Sequence, residues 1–211
     1  MMCRCITRDA NYNVSAPPSF PIEPSEPLGA EVWLLGIRTF GDLALHVRDI
    51  PYGRTVSASP GAVLLENVGT CSSKHRLLVS VARESGHPEV QLAVGVYEMS
   101  EDNTPGVGVV LSNYGISSIP EAHCYIIVEG TRFDFTGLAS GASSPFDSLL
   151  EEHVVEPQGL AATKEHLHRA ALHAWAYSRH VSPEHAWKIR ESCISALASN
   201  TPIEFSRHAS A

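Results

Sequence analysis

Apolar positions Trp33, Leu34, Leu35, Ile37, Phe40, Leu43, Leu45 and Val47 recur at roughly helical spacing and stop at Pro51, whose ring ends a helix. One N-terminal helix over about 32–49 is expected. A second stripe, Leu77, Leu78, Val81 and Ala82, follows Thr70, a good capping residue, and ends at Gly86 and Pro88. The period then changes from helical to alternating. Val90, Leu92, Val94 and Val96 alternate with smaller or polar residues, and the runs 107–111 and 122–128 are β-branched and bounded by turns, so all three read as strands. Helical periodicity returns over 161–179 and 183–198, the second announced by Ser182 as cap and Pro183 at the first helical position. The expected class is α+β: helices packed on an antiparallel sheet, closed by two C-terminal helices. No internal repeat interrupts this order.

Composition changes the picture at the ends. Residues 1–28 carry Pro17, Pro18, Pro21, Pro24 and Pro27 among Ser, Asn and Glu, which predicts a flexible tail, with one domain over 29–200 and a second tail over 201–211. The segment Pro51-Tyr52-Gly53-Arg54 is turn chemistry. A formal charge of −8, with Lys and Arg scattered, gives nothing to attract a phosphate backbone, so no nucleic-acid partner is expected. No apolar stretch approaches the ~20 residues that span a bilayer, and Met1-Met2-Cys3-Arg4-Cys5 lacks the apolar run of a secretory signal, so no membrane partner and a cytoplasmic location are expected. Five cysteines, an odd number without regular spacing, suggest free thiols in a reducing compartment. A special cysteine here is then special for reactivity or metal affinity.

Cys71 directly follows the expected cap. Unpaired backbone N–H groups and the helix dipole favour an anion there, and a thiolate is that anion. Lys74 and His75, three and four residues on, could lie beside the thiol. The second candidate piece is 122–136, two strands around a Glu129-Gly130 turn. A two-residue turn pairs Val128 with Thr131, Ile126 with Phe133 and Tyr125 with Asp134. One face then collects Cys124, Ile126, Val128, Phe133 and Phe135, and the other collects His123, Tyr125, Asp134 and Thr136. Asp134 falls diagonal to His123, roughly 7–8 Å away at the Cα atoms and within bridging reach. An imidazole steadied by a carboxylate is what a thiol nucleophile needs.

On these residues the chain resembles the transglutaminase-like group of papain-fold proteins. Gly69-Thr70-Cys71, Leu77-Leu78, the stop at Gly86-His87-Pro88 and the strand Val94-Gly95-Val96-Tyr97 resemble that family's cysteine helix and first core strand. His123-Cys124-Tyr125 stands where the family has His-Ala-Trp, and Asp134-Phe135-Thr136 where it has Asp-Pro-Thr. The likeness spans about 60–140, and Pro-Tyr-Gly-Arg followed by Gly-Thr-Cys-Ser-Ser-Lys-His resembles a little-described bacterial subset. It implies Cys71 as nucleophile, His123 as base and Asp134 as its orienter. Tyr125 replaces the family's Trp.

The expected activity is cysteine-dependent hydrolysis or acyl transfer on a peptide or small-molecule amide, ester or thioester, with no cofactor. Asn67 or Tyr52 is the candidate second oxyanion donor, and His75 a candidate proton carrier or substrate contact. Two rival readings stand beside it. One is a catalytically silent binding module on the same fold. The other is zinc bound by Cys71, His75, His123 and Cys124, disfavoured because the adjacent strand residues His123 and Cys124 point to opposite faces. The helical histidines His166, His168, His173, His180 and His185 are read as solvated.

Overall fold

The computed structural model describes residues 16–138 and 141–199, so the expected tail at 201–211 lies outside the described residues. In order, the elements are α1 (Pro27–Leu34), α2 (Phe40–Asp49), α3 (Ala62–Glu66), α4 (Cys71–Glu84), β1 (Gln91–Ser100), α5 (Gly108–Asn113), β2 (Ser118–Val128), β3 (Thr131–Phe133), a 3-10 turn (Pro145–Ser148), β4 (Leu149–Val155), α6 (Leu160–Ser178) and α7 (Pro183–Ser199). The four strands form one antiparallel sheet in the order β3-β2-β1-β4. The α+β class is therefore as the patterning indicates.

The sheet separates two apolar clusters by residue parity. Leu92, Val94 and Val96 of β1 and Ala122, Cys124 and Ile126 of β2 pack with α2 and α4. Tyr97, Met99 and Ile119 point the other way, into a cluster with Leu172, Trp175, Ile189 and Leu197 from α6 and α7. The period-2 alternation of strand side chains thus sorts the core.

Three expectations need correction, and one strand stands where none was expected. The single helix over 32–49 is two helices, because Gly36 takes φ +80° and the Thr39 hydroxyl accepts the Asp42 N–H at 3.2 Å to start α2. The tail expected to reach residue 28 is packed over its described part: Ile22 is 2% exposed, its N–H donates to the Arg38 carbonyl at 3.0 Å, and its own carbonyl accepts Trp33 Nε1 at 3.0 Å. Proline lacks a donor, but Phe20 and Ile22 between the prolines supply both the apolar surface and the hydrogen bonds. The strand expected over 107–111 is α5. The Glu101 carboxylate accepts the Gly106 and Gly108 N–H groups at 3.0 and 2.5 Å, providing the anion that a helix start favours. Local β propensity loses to this contact and to the burial of Leu111. Finally, β4 carries Glu151, Glu152 and His153 and gives no apolar alternation, yet it pairs with β1 as an edge strand.

The hairpin behaves as its turn dictates. Val128 pairs with Thr131, Ile127 with Arg132 and Ile126 with Phe133. Glu129 and Gly130 take φ +49° and +78°, as a two-residue turn with both central φ values positive requires. The ladder ends at Phe133, one residue before the expected Tyr125–Asp134 pair.

Candidate active site

Thr70 and Ser73 cap each other reciprocally: the Thr70 N–H donates to Ser73 Oγ at 2.9 Å, and the Ser73 N–H to Thr70 Oγ1 at 3.4 Å. That exchange makes Cys71 the first residue of α4 and leaves its N–H without an intrahelical acceptor. The thiol is 5% exposed and opens on a cavity of about 510 Å³.

His123 and Asp134 reach the same cavity from the face opposite α4. His123 Nε2 lies 2.7 Å from Asp134 Oδ2, which leaves Nδ1 as the nitrogen available to the thiol. Asp134 Oδ1 accepts the Thr136 N–H at 2.9 Å and the Thr136 hydroxyl, so the carboxylate is fixed by three donors. The imidazole is flanked by Tyr97 and Tyr125, with ring centroids 6.1 and 6.0 Å away. The joint arrangement of Cys71, His123 and Asp134 on one cavity matches the hairpin reasoning.

The electrostatics follow from this packing. A hydrogen bond from the Cys124 thiol pulls the Cys71 thiol well down against the opposing effect of burial, and the positive charges of Lys164 and His123 add to the fall. Burial would lower His123, but the Asp134 charge and hydrogen bond overcome it and push the imidazole up to about 10. Asp134, whose side chain is 30% exposed, is held far below the usual carboxylate range by the charge and hydrogen bond of His123. Each shift favours the charged form of its group: thiolate, imidazolium and carboxylate.

Other expected contacts are placed differently. His75 is fully buried: Nδ1 lies 2.8 Å from the Cys71 carbonyl oxygen, and Nε2 accepts the Phe135 N–H at 2.8 Å. Both ring nitrogens are occupied, so the proton sits on Nδ1 and His75 is neither a substrate contact nor free to ligate an ion. It ties α4 to the Asp134 segment instead. Lys74 does not face the thiol. Its ammonium donates to the carbonyls of Arg48 at 3.2 Å, Thr136 at 2.7 Å and Ile50 at 2.5 Å, clamping α2 and the Asp134 segment to α4. Asn67, exposed in the left-handed region at the end of α3, does not line the cavity, so it is not the second oxyanion donor. Tyr52 does line it. Tyr125 points its hydroxyl at Glu152 of β4 and serves as a wall for the imidazole. Among the described residues no group of three or more His, Cys, Asp or Glu side chains is arranged to hold a metal ion.

Two residues escaped sequence reasoning. His168 is 2% exposed, with Nε2 2.9 Å from the Pro120 carbonyl, whereas His166, His173, His180 and His185 are exposed as expected. Lys164 of α6 places Nζ 3.3 Å from Cys71 Sγ and 3.0 Å from Ser72 Oγ. A signal for Lys164 existed: it continues the inward stripe Leu160, Leu167, His168, Leu172, where a lone charge needs a partner. No family model, no curated protein and no solved structure matches the chain significantly.

Proposed function

We propose that this chain is a cysteine-dependent hydrolase or acyltransferase of transglutaminase-like, papain-type architecture, acting on an amide, ester or thioester. One observation carries the reading: a helix-start thiol and a carboxylate-bonded imidazole line a single cavity, with His123 Nε2 on Asp134 at 2.7 Å and Nδ1 left for the thiol. The chain order supports it too, with the cysteine helix first, then the histidine strand, then the aspartate just past the hairpin. In this reading Cys71 Sγ attacks the carbonyl carbon, a C–S bond forms, and the carbonyl electron pair moves onto oxygen. The Cys71 N–H at the helix start is the first donor to that oxyanion. The Tyr52 hydroxyl is the second. Its pKa is raised well above the ordinary value, first by burial and then by the Cys71 charge, so the proton stays available for donation.

Collapse of the intermediate breaks the bond to the leaving amine, alcohol or thiol, which takes the proton from His123. Water or an amine then attacks the thioester, returns a proton to His123 and releases the Cys71 thiolate. Hydrolysis is the default outcome, since no acceptor subsite is marked. Free Cys71, Cys124 and Cys193, and the lack of any described helix long and apolar enough to cross a membrane, are compatible with a cytoplasmic setting.

The test is a panel of activated esters, thioesters and anilides, read by product release. Turnover of at least one class is expected, abolished by Cys71→Ala and reduced about 100-fold or more by His123→Ala. Turnover that survives Cys71→Ala, or a folded protein that turns over no member, overturns the reading; the second outcome leaves the silent module.

A further inference from the structure

The cavity meets Cys71 from the side of His123 and Asp134. A separate group of polar atoms meets the sulfur away from that wall, and no residue of it lines the cavity. Lys164 reaches in from the first turns of α6, its Nζ 3.3 Å from Cys71 Sγ and 3.0 Å from Ser72 Oγ. Ser72 Oγ lies 3.4 Å from Cys124 Sγ and 3.9 Å from Cys71 Sγ. Because the ammonium has only protons to give, it donates to Ser72 Oγ, and the Ser72 proton goes to one of the two sulfurs. The thiol thus has an ammonium, a hydroxyl and a second thiol on this side, and an imidazole on the other.

Of these, only the ammonium and the imidazolium carry full charge. A charge-assisted hydrogen bond is roughly twice as strong as a neutral one, and a thiol is a weak donor. The imidazolium has another task, to surrender its proton to the leaving group in every cycle. The sulfur is negative before attack and again at release, and a second cation there stabilises it without engaging the proton that His123 must deliver. Lys164 loses no proton in the cycle and does not itself line the cavity.

We infer that Lys164 is a further catalytic residue, an ammonium that holds the Cys71 sulfur from the protein side whenever it is a thiolate, before attack and at release, and so leaves His123 to proton transfer. This rests on the thiol-nucleophile reading above. It assigns the two charges different jobs. Removing Lys164 raises the thiol pKa and slows attack, whereas removing His123 leaves a thiolate that attacks well but cannot protonate a poor leaving group. The other titratable groups whose charges act on Cys71 or Lys164 are Cys124, Tyr52, Tyr97, Lys74, His75, His168 and Glu121 with its partner Arg190 at 2.6 and 2.7 Å, and all, with Asp134, are kept intact in the comparison.

The experiment follows the rate of Cys71 alkylation by iodoacetamide against pH, with the alkylated site identified by peptide mass, in the wild type, Lys164→Met, Lys164→Arg and His123→Asn. Wild-type Cys71 is expected to react far faster than Cys124 or Cys193. In Lys164→Met the inflection should rise by about one unit or more, a loss of about tenfold in rate on its acid side. Lys164→Arg should restore most of the shift, which a merely structural role would not do. His123→Asn should keep the Lys164-dependent low inflection while losing turnover of anilides. An unchanged inflection in Lys164→Met, with the fold retained by circular dichroism, overturns the assignment of Lys164. Sluggish, unselective labelling of wild-type Cys71 instead overturns the nucleophile reading beneath it.

Discussion

At the scale of single residues, the site depends on how burial and charge oppose each other at three ionisable groups. A buried imidazole ordinarily loses its proton more easily, but Asp134 reverses this and His123 titrates at about 10. Cys71 is drawn well below the ordinary thiol value, so both shifts favour the thiolate and imidazolium forms. On the proposed function, kcat/KM should stay level through neutral pH and fall as pH rises through about 10, where His123 loses the proton it must deliver. A fall near 6.5, the ordinary imidazole value, would contradict this. The same shift acts on folding with the matching sign. Because the folded pKa is raised, the pair contributes stability fully below about 6.5, and that contribution is lost as pH rises through about 10. Lys74 is a second residue-scale test. Its ammonium satisfies three carbonyls, so Lys74→Met should cost about 2–4 kcal/mol in urea unfolding and lower activity through the released Thr136 segment. An unchanged midpoint would show that the clamp is dispensable. Cys71, His123 and Asp134 were legible in the chain because each is placed by a local rule, a cap or a two-residue turn. The partners of Lys164 and Lys74 were not, because they lie far away in sequence: Cys71 in one case, Thr136 and two carbonyls of the α2 end in the other.

Among the elements, β1 and β2 were read correctly because alternation survives when both faces are buried in different clusters. Failure came where a distant contact decided local structure. Glu101 turned a β-branched run into α5, and β1 recruited the charged edge strand β4. That edge strand matters to the site, since Glu152 of β4 takes the Tyr125 hydroxyl that sets the wall beside His123. Gly95 of β1 makes the approach feasible. A Cβ there would lie 2.7 Å from the Tyr125 hydroxyl and 2.6 Å from Leu149 Cδ2. Gly95→Ala should therefore destabilise by about 1–3 kcal/mol, since the Tyr125 ring, tied to Glu152 through its hydroxyl, must shift even where the Leu149 side chain rotates away. Hydrogen exchange of the β4 amides should quicken in the variant; unaltered exchange and stability would refute this account of Gly95.

At the scale of the whole molecule, the cavity lies where the sheet meets α7, and its walls are parts of the second apolar cluster, including Tyr97, Met99 and Leu197. The lock between α7 and the sheet is a buried ion pair: Arg190 Nε and Nη2 donate to the two oxygens of Glu121 at 2.6 and 2.7 Å. Removing one partner strands the other charge, so Arg190→Met should cost about 3–5 kcal/mol, whereas a double change with Glu121→Leu should recover much of the loss. Thermal unfolding of the single and double variants checks this, and equal losses in both would contradict it. The α+β class was readable from patterning, but this lock was not, since α7 meets β2 through a side chain that a helical wheel assigns only to an inward face.

The central claim is that Cys71 forms a covalent bond to an acyl group. It is tested most directly by mixing the protein with an activated ester or thioester, quenching in acid, and measuring intact and peptide mass. The account predicts one added acyl group, on Cys71, absent in Cys71→Ala and longer-lived in His123→Ala. A folded wild-type protein that carries no acyl group on Cys71, while a substrate is consumed or while Cys124 or Cys193 is acylated instead, would contradict it.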